Sequence, residues 1–272
     1  MTPSTRFARS GRACTAAAVV VILLGVAASA GAQAKPAQPR PAPPRAVQPT
    51  DRIYISIDGA FQTGVEDFGE TVSFIENAEN GTFSTEYNVD SGPALNISAG
   101  AAIWGNIGLG VGVTRFSHST PISLTASVPH PFFFNRARSV SGDIGGLERE
   151  ELAVHIQARA NFMPSPKIQA VLFAGPSFFS VKQGIVSDFE ITETYPYDAA
   201  TFSRGVTTTV EESKVGFNAG ADVGYFFTRQ IGVGGSVQWS GTTIDAPTSG
   251  GTGTFEIKAG GLQAGGGLRL RF

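Results

Sequence analysis

The chain has 272 residues, 20 Lys or Arg against 22 Asp or Glu, 42% hydrophobic residues and a single cysteine. The near-neutral balance lacks the strong positive charge that nucleic-acid binding favours, and one cysteine excludes a disulfide framework. The length allows one large or two small globular domains, and composition alone leaves the class open.

Arg6, Arg9 and Arg12 precede an apolar run from Ala16 to Val26, which leads into AASAGAQA. Positive charge, a short apolar stretch and then small residues predict a secretory signal peptide over residues 1–34. The run is shorter than the roughly 20 apolar residues of a spanning helix. Overlapping A-x-A sites end at Ala30, Ala32 and Ala34, with cleavage expected after Ala34; an uncleaved inner-membrane anchor is the alternative. Cys14 leaves with the leader, so the exported chain has no disulfide, thiol chemistry or thiolate metal site. Residues 35–50, KPAQPRPAPPRAVQPT, are expected to form a semi-extended periplasmic linker.

From Arg52 apolar residues recur at every second position, the mark of a strand whose two faces meet different surroundings. In RIYISIDGAFQ, Ile53, Ile55, Ile57 and Phe61 share one face, with Tyr54, Ser56 and Asp58 on the other. ALNISAGAAIW and IGLGVGVTRF repeat the pattern on either side of Gly105 and Asn106. LAVHIQARANF sets Leu152, Val154, Ile156, Ala158, Ala160 and Phe162 against His155, Gln157, Arg159 and Asn161. IQAVLFAGPSFFSV is a fifth strand, apolar on both parities and interrupted by Pro176, so its register stays open. VGFNAGADVGYFF and IGVGGSVQWSG follow, and an eighth strand runs from about Phe255 to Phe272.

The connections alternate between short turns and long segments, the latter at residues 63–92, 117–149, 182–213 and 242–254. This is the plan of an all-β, eight-stranded antiparallel up-and-down transmembrane barrel over residues 51–272, with short periplasmic turns and long extracellular loops. In hydrocarbon every backbone N–H and C=O must be paired, so a spanning sheet must close and strand eight must pair with strand one. An arginine facing lipid near the midplane costs roughly 2–4 kcal/mol. In the closing GLRLRF, Arg269 and Arg271 are therefore expected at the lumen or periplasmic rim, with Leu268, Leu270 and Phe272 toward lipid. Phe162, Phe227 and Phe272 at one end, and Phe61, Phe116, Phe217 and Trp239 at the other, suit two aromatic girdles.

The leader, the eight alternating strands and GLRLRF resemble the OmpA-like family of small bacterial outer-membrane β-barrels over residues 52–272. The resemblance implies a monomer in the outer membrane, surrounded by its lipid. It also makes Leu268, Leu270 and Phe272 similar to the signal read by the barrel-insertion machinery. It implies no cofactor.

An eight-stranded barrel is narrow enough for side chains to fill it. The inward parity carries Asp58, His155, Arg159, Asp222 and Arg269, read as a buried polar network that seals the lumen; a proton or ion pathway is the competing reading. Inward glycines such as Gly110, Gly216, Gly220 and Gly234 leave room for curvature and for long arginines to lie across the wall. The glycines of GLGVGV sit inside a strand rather than opening a helix, so they form no phosphate loop. His118, His130 and His155 accompany no metal or hydrolase motif, and Ser117, His118 and Ser119 are the one hint of lipid-modifying chemistry. Residues 63–92 hold seven acids and no base, without calcium-ligand spacing. Phe132, Phe133 and Phe134, followed by Arg136 and Arg138, are the candidate interaction residues; the aromatics fold onto the rim, enter the outer leaflet or bind a partner. The expected role is non-enzymatic, in envelope structure or surface interaction, with a narrow channel and a lipid-modifying enzyme as alternatives.

Overall fold

The computed structural model describes residues 52–63, 67–247 and 254–272; the expected leader and proline-rich linker lie outside them. Ten strands form: β1 Ile53–Gln62, β2 Phe68–Glu76, β3 Glu79–Tyr87, β4 Gly92–Trp104, β5 Ile107–Val128, β6 Arg138–Ser165, β7 Ile168–Glu193, β8 Ala200–Phe226, β9 Ile231–Pro247 and β10 Thr254–Arg271. Eight of them close a ring in the order β1, β4, β5, β6, β7, β8, β9, β10, with β10 back on β1. All these pairings are antiparallel.

Closure is made by the register Tyr54↔Arg271 through Gln62↔Gln263, so the last strand pairs with the first as its alternation requires. The Phe272 carbonyl extends this ladder by accepting the N–H groups of Arg52 at 2.6 Å and Ile53 at 2.9 Å. The two strands approach so closely that a Cβ at Gly267 would collide with the Ile57 carbonyl. Tight turns join β4 to β5, β6 to β7 and β8 to β9. Gly105 supplies the positive φ of 56° that the first needs, and Thr228 Oγ1 accepts the Ile231 N–H in the third.

The register of β7 is now resolved. Gln169, Val171, Phe173, Ser177 and Phe179 point inward, and Ile168, Leu172 and Phe178 outward. Both parities are apolar because Phe173 and Phe179 fill interior space over Gly220 and Gly216, where a Cβ would stand 2.6 and 2.9 Å from the two rings.

The long connections differ from the loops expected of them. Residues 117–128, 138–149, 182–193 and 200–213 continue β5, β6, β7 and β8 as paired strand. The acidic segment after β1 folds into the β2–β3 hairpin, which joins the sheet by pairing Thr82–Glu86 with Ser123–Ser127 of β5. Its turn places Asn77 and Ala78 at φ 52° and 63°, the double positive φ of a type I′ hairpin.

The strand β5 explains how one alternating chain builds both halves. Its odd residues face outward throughout, passing from Ile107, Leu109, Val111 and Val113 to Arg115, Ser117, Ser119, Ser123, Thr125 and Ser127. Its even residues face inward, passing from Gly108, Gly110, Gly112 and Thr114 to Phe116, Ile122, Leu124, Ala126 and Val128. Parity never changes; polarity inverts. The lower barrel is apolar outside and polar inside, and the upper barrel has the ordinary arrangement of a water-soluble domain. The upper core is built from Val72, Phe83, Tyr87, Ile122, Leu124, Val128, Val140, Ile144 and Ile185, and continues downward through Phe179, Val181, Ile244, Ile257 and Ala259. Phe116 belongs inside this upper region, 1% exposed, and not to the outer girdle where its sequence position suggested it.

Candidate functional site

The lower interior is a stack of polar layers. In the first, Arg269 of β10 lies between Asp58 of β1 and Asp222 of β8, with Nη1 2.5 Å from Asp58 Oδ1 and Nη2 2.5 Å from Asp222 Oδ2. Its Nε also donates to Asp222 Oδ1 at 3.1 Å. Tyr54 Oη donates to the same carboxylate, and Ser236 Oγ to Asp58 at 3.3 Å. The Arg159 guanidinium stands 5.3 Å from the centre of the Tyr54 ring. Two guanidinium groups thus face two carboxylates, and the layer is neutral as a whole. The charges balance, and Arg269 is hydrogen-bonded to both carboxylates through Nε and Nη1, as buried charge requires, whereas Arg159 Nε and Nη1 have no hydrogen-bond partner among the described residues. Glycine makes the space: a Cβ at Gly234 would stand 2.9 Å from Arg269 Nε, and one at Gly110 2.7 Å from Arg159 Cδ.

The second layer centres on His155. Its Nδ1 lies 2.7 Å from Ser177 Oγ, and its Nε2 3.0 Å from Thr114 Oγ1 and 3.1 Å from Gln238 Nε2. Asn218 donates to Ser177 at 2.9 Å, and Gln157 to Asn218 at 3.2 Å. With Gln238 donating to Nε2, the ring proton sits on Nδ1 toward Ser177. His155 and Ser177 resemble a base and its hydroxyl, but no carboxylate orients the ring, and both side chains are fully enclosed. The cavity beside them, bounded by Asp58, Gln157, Arg159 and Asp222, measures about 20 Å³, room for about one water.

A third layer, which the sequence reading missed, sits where the interior changes from polar to apolar. Arg149 pairs with Glu151 at 2.7 Å and donates to Gln183 at 3.1 Å and to the Lys258 carbonyl at 2.6 Å. Glu151 Oε2 accepts Gln62 Nε2 at 3.2 Å and the Gly260 N–H at 2.9 Å. The signal was the inward parity of His155 and Gln157 carried up β6 through Ala153 to Glu151 and Arg149. Reading residues up to 149 as loop hid it.

Arg271 faces inward at the opposite end. It donates to the carbonyls of Arg229 at 2.7 Å and Pro166 at 2.8 Å, and lies 3.9 Å over the Phe226 ring. It thereby ties together the turns that end β6 and β8. Leu268 and Phe272 are exposed on the outer face, and Leu270 is half-buried there.

At the distal end the segment between β5 and β6 packs against the segment between β7 and β8. His130, buried, accepts the N–H groups of Phe132 at 3.0 Å and Phe133 at 3.3 Å on Nδ1. Arg138 is buried as well, donating to Glu193, to the Pro129 carbonyl at 2.9 Å and to the Tyr197 carbonyl at 3.2 Å. This corrects its expected place among the partner-facing residues: its guanidinium is consumed in fixing the two segments together. Arg136 remains at the surface, 5.5 Å from the Phe133 ring centre and 3.1 Å from Asp198. Phe132, Phe133, Phe134 and Tyr195 form an exposed crown, in which Tyr197 joins Phe132 to Tyr195 edge to face. The three residues that hinted at lipid chemistry do not converge. His118 turns inward to within 3.9 Å of Asp90, while Ser117 and Ser119 face outward. Among the described residues no His, Cys, Asp and Glu cluster offers a metal site.

No protein-family model and no curated protein sequence matches the chain. Among solved structures it is similar to Neisserial surface protein A, at 13% identity over 81% of this chain and 97% of that one, with a TM-score of 0.40. The outer membrane protein OprG of Pseudomonas aeruginosa aligns at 10% identity over 82% and 96%, with a TM-score of 0.45. The outer membrane protease OmpT of Escherichia coli aligns at 11% over 85% and 99%, with a TM-score of 0.40. At these identities the likeness carries over no site residue.

Proposed function

We propose that this chain is an outer-membrane barrel with a sealed lumen, acting through a folded extracellular domain in envelope structure or surface contact and neither as a pore nor as an enzyme. The observation that carries the reading is the inversion of polarity along the wall. The outward apolar stretch runs from Ile231 to Trp239 on β9, from Leu152 to Phe162 on β6 and from Val215 to Tyr225 on β8. These lengths of nine, eleven and eleven residues match the roughly 9–11 that a tilted strand needs to cross hydrocarbon. Above them the same faces carry the ion pairs Arg115–Glu150, Lys182–Glu211 and Lys214–Asp245.

Against conduction stand three balanced polar layers, water-sized voids and an apolar core stacked above them. Against catalysis stands the burial of the His155–Ser177 pair. Among the described residues the closed β1–β10 seam leaves no unpaired edge within the apolar belt, an arrangement that suits a monomer surrounded by lipid. The parity of Leu268 and Phe272 fits reading by the insertion machinery. The test is fractionation with heat-dependent gel mobility, followed by planar-bilayer recording. The expected result is an outer-membrane protein whose mobility shifts on boiling and which adds no conductance. A soluble wild-type protein without the shift, or reproducible unitary currents, would overturn the reading.

A further inference from the structure

We infer that the distal crown docks a basic segment of another polypeptide, with its Lys or Arg side chains over the ring faces and against the surrounding carboxylates. This rests on the surface-contact reading above and names the chemistry of the partner. Phe132, Phe133, Phe134 and Tyr195 are 64, 53, 72 and 83% exposed, and large apolar side chains gathered in the open mark an interaction surface. The crown is preorganised from beneath by His130 and Arg138, and the β2–β3 turn is tied to it where Glu79 Oε1 accepts the Asn135 N–H at 2.7 Å. A surface already rigid loses little entropy on binding.

Geometry removes the protein's own bilayer as the occupant. From Val113, the last apolar outward residue of β5, to Val128 is fifteen residues. That is roughly 50 Å of strand and roughly 35–40 Å of height at a barrel tilt of about 40–45°. Charge removes two further occupants. Residues 67–91, 115–151, 182–214 and 243–258 carry eighteen Asp or Glu against eight Lys or Arg, so a second copy and an anionic lipid surface are both repelled.

The binding mode is already present within the chain. Arg136 lays its guanidinium over Phe133 while pairing with Asp198, a cation held by a ring face and a carboxylate together. Phe134 and Tyr195, the two most exposed rings of the crown, and the exposed Glu76 on the tethered hairpin offer the same groups to solvent.

The test uses the full barrel in detergent micelles and two labelled peptides of equal length, one alternating lysine with leucine and the other glutamate with leucine, read by fluorescence anisotropy. The lysine peptide is expected to bind, more weakly at high salt, and the glutamate peptide not to bind. The triple variant Phe132→Ser, Phe134→Ser, Tyr195→Ser is expected to weaken binding at least about tenfold, and the control Glu190→Gln, Glu211→Gln, elsewhere on the acidic surface, far less. Equal binding of both peptides, or unchanged binding by the triple variant, would overturn the proposal. Surface display is read separately by labelling Ala137→Cys on intact cells with an impermeant maleimide. Absence of labelling would sink the surface reading, whereas labelling without discrimination between the peptides would sink the basic partner alone.

Discussion

At the scale of single residues, the interior depends on charges that balance across the ring. Arg269 is wholly buried and serves two carboxylates from two other strands, so Arg269→Met leaves Asp58 and Asp222 facing each other with no cation between them. Breaking a buried pair by removing one partner costs about 3–5 kcal/mol. The variant should therefore unfold at clearly lower urea, read as loss of the heat-dependent mobility shift. Adding Asp58→Asn should recover most of the loss, since Arg159 and Asp222 then balance each other and no buried charge is left uncompensated. Tyr87 is a quieter case: burial pushes its phenol up, and its hydroxyl accepts the Val186 N–H at 2.9 Å. Tyr87→Phe removes that hydrogen bond and should cost about 0.5–1.5 kcal/mol, measurable by hydrogen exchange at Val186. The inward parity of Arg269 was legible in GLRLRF. Its partners were not, because Asp58 and Asp222 lie 211 and 47 residues away in the chain and meet it only once the ring closes.

At the scale of elements, β10 and the β2–β3 hairpin hold different parts of the molecule. Removing Phe272 takes away the carbonyl that receives Arg52 and Ile53 and an exposed aromatic at the lower rim. The fraction of protein recovered as heat-shifting barrel should fall sharply. Replacing residues 68–87 by a short glycine–serine linker should act at the other end only. The apolar belt and the polar layers contain none of these residues, so the mobility shift should persist. The upper core, stripped of Val72, Phe83 and Tyr87, should become sensitive to protease added to intact cells. This hairpin was readable in principle: Val72 and Phe74, then Phe83, Thr85 and Tyr87, alternate around Asn77. Seven acids in the segment drew attention to solvation, and acidic side chains on an outward face do not prevent the inward face from packing.

At the scale of the whole molecule, one barrel wall passes through two surroundings. Where the outside is apolar the inside must satisfy its polar groups internally, and where the outside is wet the inside can be an ordinary core. A continuous water path would have to pass both the neutral Arg269 layer and the apolar region above Arg149. Opening the lower layer alone, with Arg159→Ala and Arg269→Ala refolded together with Asp58→Ala and Asp222→Ala, should therefore still give no conductance in planar bilayers. Stable unitary currents from that variant would place the seal in the polar layers and not in the upper core.

Alternation along the chain settled the eight strands of the ring, the faces of all but β7, the closure of the last on the first and the inward set Asp58, His155, Arg159, Asp222 and Arg269, because a period of two reports which side of a sheet each residue must occupy. It also carried, unread, the strand character of residues 117–128, where Ile122, Leu124, Ala126 and Val128 keep the parity of Gly108 and Thr114. The meaning of that parity was decided only in three dimensions. Whether an inward residue meets a polar lumen or a dry core depends on its height on the wall. So too with Arg138 and Arg136: two residues apart in one sequence motif, one is buried as a clamp and the other is left at the surface, because only the packed neighbours supply Glu193 and the carbonyls that the first needs.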